Sequence, residues 1–442
     1  MDGDAGARRV VADADAAQPL QIAIPVTAIK GRGAASRLAH RFESTLRERF
    51  DDGWSGGQAG PAAPGAGNGV EAAVAADGTC RIAEGMPEPD RPPQTEVIWE
   101  DARSVLTRND SPDLPLEVSL NPYRGCEHGC IYCYARPTHS YLGFSPGLDF
   151  ETRIVAKRNV VAVLQNELSA PGYEPVPIAL GSATDAYQPV ERQLRLTRGV
   201  LEMLHATRHP FGLVTKSSLV ERDLDVLAAM ARDRLVRVYV TITTLDGELA
   251  RKLEPRAASP LRRLATVRRL AEAGVPVGVS LAPQIPFVNE DMEQVMQAAW
   301  EAGARSAFYV VLRLPWELSP LFREWLQVHY PDRVQRVMGR VRELHGGRDY
   351  RAQFGDRMRG QGPWADLLAA DSRSLPGVWA TTRTASRLNG ACSDPGPRLG
   401  KRVCSERWVP QLLSAFDVPA CCLAGPPTGR SLLYSNVINK SK

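Results

Sequence analysis

No run of 18 apolar residues occurs anywhere in the chain, so the sequence offers no ordinary membrane-spanning helix. A marked excess of charge is also missing. Lys and Arg number 54 against 50 Asp and Glu, a formal charge of +4 over 442 residues, far below what a dedicated nucleic-acid binder carries at this length. Charge alone therefore selects no partner. The first twenty residues include Asp2, Asp4, Asp13 and Asp15, the wrong chemistry for a secretory or transit peptide, so the expected compartment is the cytoplasm. Cysteine is scarce too. The eight are Cys80, Cys126, Cys130, Cys133, Cys392, Cys404, Cys421 and Cys422, too few and too unevenly placed for a disulfide framework. Three of them fall within eight residues, which points to a metal site. What the chain does have is 43% apolar and 24% charged residues, enough for the core of one large domain or two ordinary ones.

Three regions differ in composition. In residues 1–95, the stretch 53–93 is built from Gly, Ala, Pro and scattered acids and reads as a disordered linker. Before it, residues 28–54 place Leu38, Phe42, Leu46 and Phe50 four apart among Arg32, Arg37, Arg41, Arg47 and Arg49. That spacing predicts one helix, packing by its apolar stripe with a solvated basic face. Residues 96–370 alternate short β-branched runs with longer helical patterns. Residues 371–442 turn to Arg, Ser, Pro, Gly and Cys without periodicity, a tail read as disordered, or as a shifted reading frame or unrelated extension.

The alternation in the middle region sets the fold class. Strands are predicted at 115–120, 176–181, 211–215, 236–243, 275–281 and 306–314, mostly continuous apolar runs such as a sheet covered on both faces requires. Helices are predicted at 158–168, 190–207, 219–231, 260–273, 290–302 and 316–328, with Gly274 and Gly303 as closing punctuation. Six β/α units in series predict an α/β protein, a partial (β/α)6 TIM-like barrel. Chemistry in such a barrel sits at the C-terminal strand ends. The four arginines Arg262, Arg263, Arg268 and Arg269 spread around one helix and read as a solvated outer face.

Directly after the first of these strands runs Asn121-Pro-Tyr-Arg-Gly-Cys126-Glu-His-Gly-Cys130-Ile-Tyr-Cys133-Tyr134. With Gly125 and Gly129 giving backbone freedom, the loop can wrap three thiolates around one face of a compact cluster, leaving a fourth metal corner open. Zinc would need a fourth ligand, for which His128 is nearest; a ferredoxin would need a fourth cysteine, and Cys80 and Cys392 lie far off. A non-enzymatic zinc or iron–sulfur scaffold is thus the alternative to an enzyme.

The cysteine spacing, its place after a first strand, and Ser119-Leu-Asn-Pro-Tyr-Arg-Gly-Cys126, Thr184-Asp185, Val214-Thr-Lys216, Leu253-Glu-Pro255 and Ala282-Pro283 resemble the radical S-adenosylmethionine (radical SAM) superfamily, and within it the spore photoproduct lyase-like branch with its uncharacterised bacterial group. The resemblance covers about residues 95–370. It implies a [4Fe–4S] cluster on Cys126, Cys130 and Cys133 whose free iron chelates S-adenosylmethionine, reductive cleavage to a 5′-deoxyadenosyl radical, and an electron donor such as flavodoxin or ferredoxin. It implies further that Tyr132 lies near the adenine, that Tyr134 stands near the active site, and that Thr184, Lys216 and Thr241 hold the cofactor. A strand-end ammonium suits a carboxylate, and threonine hydroxyls suit ribose or carboxylate oxygens.

One departure bears on the reaction. The lyases carry a hydrogen-donating cysteine three residues before the aspartate that matches Asp185, and here the position is Ser182. A hydroxyl O–H is too strong to replace a thiol in that step; Tyr134 and Tyr187 are the nearby alternatives. The substrate is accordingly a nucleic-acid base by resemblance, or a peptide or small metabolite by the missing thiol. Further rim candidates are Arg124, Arg136, His139, Asp149, Glu151, Asp185, Glu254, Arg256 and Arg313. The basic excess lies outside this region: residues 371–442 hold 10 Lys and Arg against 4 Asp and Glu, residues 1–95 hold 10 against 13, and the remainder 34 against 33.

Overall fold

Val, Ile and Leu recur at alternate positions in the short apolar runs, and each run forms a strand in the computed structural model, which describes residues 27–42, 93–114 and 116–372. In chain order the strands are β1 (Glu96–Glu100), β2 (Leu106–Arg108), β3 (Val118–Leu120), β4 (Tyr123–Arg124), β5 (Arg153–Lys157), β6 (Ile178–Leu180), β7 (Phe211–Thr215), β8 (Val236–Thr241), β9 (Val277–Gln284) and β10 (Ala307–Val311). Strands β3, β6, β7, β8, β9 and β10 lie side by side in that order, all parallel, with β2 antiparallel on the outer edge of β3. These are the six expected β/α units, and the sheet stays open between its two edges.

Alternation decides which side faces the helices. Ile178, Leu180, Phe211, Leu213, Val236, Val238, Val240, Val277, Val279 and Leu281 share one core with apolar residues of the surrounding helices. The residues between them, such as Ala179, Gly212, Tyr239, Gly278 and Ser280, therefore face the other side of the sheet. Gly278 is needed there, because a Cβ would collide with Tyr239 and Ser306 on the neighbouring chain segments. Helix Pro260–Glu272 starts where Ser259 accepts from the Arg262 N–H at 3.4 Å with Pro260 at its first position, and it is followed by Gly274 at φ +76°. Among the described residues no helix is long and apolar enough to cross a membrane.

The structure departs from the sequence expectations in four places. Residues 28–42 form no helix, because the N–H groups of Gly33 and Ala34 are taken by the Glu151 carboxylate instead of by carbonyls one turn back. The helix expected at 190–207 is two, Glu191–Leu194 and Leu196–Ala206. Between them Arg195 is left-handed at φ 54°, and Glu191 accepts the N–H groups of Thr197 and Arg198 at 3.0 and 3.3 Å. A second sheet, β1–β5–β4, was not anticipated. Arg263, expected in solvent, is 1% exposed. The linker, its Cys80, residues 43–54 of the expected helix and the tail beyond residue 372 lie outside the described residues.

Candidate active site

Two left-handed glycines shape the cysteine loop. Gly125 (φ +81°) passes so close to Phe150 and His139 that a Cβ would touch both, and Gly129 (φ +69°) does the same against Glu151. Hydrogen bonds from Cys126 N–H to the Phe150 carbonyl (2.9 Å) and from Ile131 N–H to the Leu253 carbonyl (3.1 Å) fix the loop to its surroundings. All three thiols are free; Cys126 and Cys130 are buried and Cys133 half-buried. Burial pushes the Cys126 thiol well up, and the charges of Asp185, Cys130 and Cys133 push it further. Burial likewise takes Cys130 up to about 12, with Glu254 and Cys133 adding to it and Lys216 opposing. The thiols thus crowd a place that tolerates their ionised form only beside added positive charge. Among the described residues no three His, Cys, Asp or Glu side chains gather into a cage for a single ion. His128, the nearest candidate for a fourth zinc ligand, turns its Nδ1 to Asp185 Oδ2 at 3.2 Å. The donor set fits a multi-iron group in which each thiolate binds its own iron.

Next to the cysteines lies a buried ion network. Glu254 accepts from the Tyr132 hydroxyl, from Thr243 Oγ1 at 2.9 Å and from the Arg263 guanidinium. Arg263 also donates to the carbonyls of Ala258 (2.7 Å) and Thr241 (2.9 Å), which leaves neither charge unsatisfied. Burial raises the Glu254 carboxyl, but Arg263 and Lys216 outweigh it and hold it below the usual range. Lys216, half-buried just past the end of β7, places its ammonium 5.7 Å from the centre of the Tyr132 ring. Arg263 is the member of this network that sequence reasoning missed. Its signal was position: it stands four residues before Val267 and seven before Leu270 on the buried stripe of its helix.

Asp185 ties three loops together. Its carboxylate accepts from Thr215 Oγ1, the Lys216 N–H and the Tyr187 N–H, all at 2.8 Å, and faces His128. Burial opposes its ionisation, yet His128 and these hydrogen bonds bring it down to about 2. Thr184 is buried, its hydroxyl donating to the Gly125 carbonyl at 2.6 Å and accepting from Gln188 Nε2 at 3.0 Å. Thr241 is buried at the end of β8, level with Ser280 on β9.

Tyr134 lies on the exposed side, its hydroxyl donating to the Ser182 carbonyl and its ring covered by the Arg313 guanidinium at 4.5 Å. Ser182 Oγ accepts from Asn121 Nδ2 at 3.2 Å. Tyr187 is fully buried and gives its hydroxyl to Asp223 at 2.9 Å, so it is a packing residue and no hydrogen donor to this site. Most other rim candidates are paired internally: Arg136 with Glu151, Arg124 with Glu100, Arg256 with Glu127 and Asp149 with Arg37. Arg313 has no ion pair among the described residues. Arg262 and Arg269 both pair with Glu221.

Residues 120–299 match the family described as the Radical SAM superfamily. An uncharacterised protein of Mycobacterium tuberculosis is 38% identical over 235 residues, 52% of this chain and 68% of its own length. One of Methanocaldococcus jannaschii is 27% identical over 222 residues, 50% of this chain and 80% of its own. Among solved structures, a spore photoproduct lyase is 21% identical with a TM-score of 0.39, over 53% of this chain and 66% of its own, just under two thirds. A radical S-adenosylmethionine methyltransferase of Kitasatospora setae is 17% identical with a TM-score of 0.35, over 51% and 39%.

Proposed function

This chain belongs to the radical SAM superfamily of enzymes, which use S-adenosylmethionine and an iron–sulfur cluster, and from that premise we propose that it holds a [4Fe–4S] cluster on Cys126, Cys130 and Cys133 and turns S-adenosylmethionine on a substrate. The observation that carries the reading is the gathering of three free thiols beside Lys216 and Glu254 at the strand-end rim. When bound, the cluster and S-adenosylmethionine supply a 5′-deoxyadenosyl radical that takes a hydrogen atom from the substrate.

The chain's own residues bind, orient and exclude water. Lys216, held at its backbone by Asp185, offers its ammonium to the methionyl carboxylate. Tyr132, its hydroxyl fixed by Glu254, would lie beside the adenine. Thr184 and Thr241 complete the cofactor side; the hydroxyl hydrogen of Thr184 goes to the cysteine loop, which leaves it only as an acceptor and as a support for that loop. Ile131, Ile285, Leu312 and Leu314 are buried together with Cys130 and Tyr132 and keep water from that flank. Tyr134 and Arg313 form the side open to substrate. The electron comes from an external donor of the flavodoxin or ferredoxin type. Of the two substrate classes, a peptide or small metabolite is favoured over a nucleic-acid base, because Ser182 stands where a donor thiol would be and residues 96–370 are nearly neutral.

Anaerobic reconstitution tests the reading. About four irons per chain and release of 5′-deoxyadenosine on reduction are expected, with both lost in Cys130→Ala. One zinc per chain and no deoxyadenosine would overturn it in favour of a scaffold. Deuterated candidate substrates then identify the one whose label enters 5′-deoxyadenosine.

A further inference from the structure

The two lips of the open barrel are joined by a segment that lies outside the region matched to the family. At one end, Gly33 and Ala34 donate their N–H groups to the buried Glu151 carboxylate at 3.0 and 2.8 Å, and Arg32 Nη1 donates to the Glu151 carbonyl at 3.0 Å. Leu148 N–H and Ser145 Oγ reach back to the carbonyls of Ser36 (3.1 Å) and Leu38 (2.8 Å). At the other end, Ser36 Oγ donates to Glu324 at 2.8 Å, and Arg41 binds Glu317 through its guanidinium (2.9 and 2.7 Å) and its N–H (3.1 Å). Glu317 caps and Glu324 lies within Leu318–His329, the helix after β10, the last parallel strand, whereas Glu151 follows the cysteine loop after β3, the first. The segment therefore crosses the side that the sheet leaves open.

Its middle packs on the cysteine loop itself. Ala34 is 1% exposed, in one core with Cys130, Ile131, Tyr132, Leu321 and Trp325. Gly33 lies so close to Gly129, between the first two cysteines, that a Cβ on it would overlap the Gly129 carbonyl oxygen. Glu151 relays the contact: it pairs with fully buried Arg136, whose Nε donates to the Cys130 carbonyl at 2.8 Å. A buried carboxylate with charge-assisted donors from both the segment and the loop couples the two, because loosening either leaves it underpaired.

We infer that residues 29–42 are a strap that closes the open side of the barrel and holds the cysteine loop in its ligating shape, with Gly33 and Glu151 as positioning residues. The inference rests on the proposed function only for the identity of the group the thiols hold. Its test uses the full-length apo protein, free of any cluster: the alkylation rates of Cys126, Cys130 and Cys133 by iodoacetamide, followed peptide by peptide by mass spectrometry. Gly33→Ala is expected to raise the Cys130 rate about tenfold, and Arg41→Ala, which removes the guanidinium from Glu317 and weakens the far anchor, about threefold. Near-UV circular dichroism reports whether each variant keeps its fold. Rates within twofold of wild type in folded Arg41→Ala, and in Gly33→Ala where it folds, overturn the strap. Faster iron loss to a chelator from the reconstituted variants supports it independently. If alkylation responds as expected and yet no cluster assembles even on wild type, the strap stands and the functional reading falls.

Discussion

Asp185 receives the backbone N–H of Lys216 at 2.8 Å, so the residue that ends β6's loop sets where the lysine at the end of β7 begins. The same carboxylate takes the Thr215 hydroxyl and faces His128 between the first two cysteines. One largely buried anion thus sets the distance between the cysteine loop and the ammonium proposed to hold the cofactor.

Removing that anion while keeping its shape separates positioning from binding. Asp185→Asn is expected to weaken S-adenosylmethionine binding about tenfold, because an amide offers one acceptor where three N–H and O–H donors converge. Isothermal titration with the reconstituted protein measures it. Unchanged affinity would show that Lys216 keeps its place without Asp185.

Glu254 and Arg263 form a buried ion pair beside Tyr132. Arg263→Leu leaves Glu254 charged and unpaired, and the expected loss of stability is about 3–5 kcal/mol. Arg263→Leu combined with Glu254→Gln should recover part of it, since the double variant buries no unpaired charge. Urea unfolding of the apo protein measures both. A single variant within about 1 kcal/mol of wild type would show that Glu254 is sustained by Lys216 and its hydroxyl partners alone.

Much of this was written in the sequence, and what was not has a physical reason. Strand β8 was legible because its helix-facing side demands Val236, Val238 and Val240 at alternate positions in one short run, and the cysteine loop because its spacing is local. Arg263 was misread because a charged residue was assigned to solvent by type, although its place on the apolar stripe said otherwise. The strap was not legible at all: Gly33 and Ala34 bond to a carboxylate more than a hundred residues away, and nothing in their neighbourhood announces it. The Leu38–Phe42 spacing imitated a helix, but residues 28–42 form an irregular run of turns and bends held by those distant partners.

Thr184 can be assigned by which measurement moves. Its hydroxyl donates to the Gly125 carbonyl, one residue before Cys126. Thr184→Val is therefore expected to lower iron incorporation and speed apo alkylation of Cys126 several-fold, with Thr184→Ser restoring both. A variant that loads iron normally and loses only cofactor affinity would make Thr184 a ligand-binding residue alone.

His209 supplies a pH dependence remote from the rim. Its Nε2 meets the Tyr173 hydroxyl at 2.7 Å and its Nδ1 the Pro210 carbonyl at 3.0 Å, contacts that a neutral imidazole satisfies with one donor and one acceptor. Burial lowers it to about 4, against 6.5 for the unperturbed group. The unfolded chain thus binds the proton first as the pH falls. The stabilisation is complete above pH 6.5, declines below it, and is lost as the pH passes through 4; at pH 5 the loss from this group is about 2 kcal/mol. His139, also lowered to about 4 by burial, adds a parallel loss. Urea midpoints of the apo protein at pH 7.5 and pH 5 should therefore fall more for wild type than for His209→Gln, which has no proton to take up. Equal falls would mean that His209 is protonated in the folded state without cost, with the Tyr173 hydroxyl oxygen and the Pro210 carbonyl both accepting from the imidazolium.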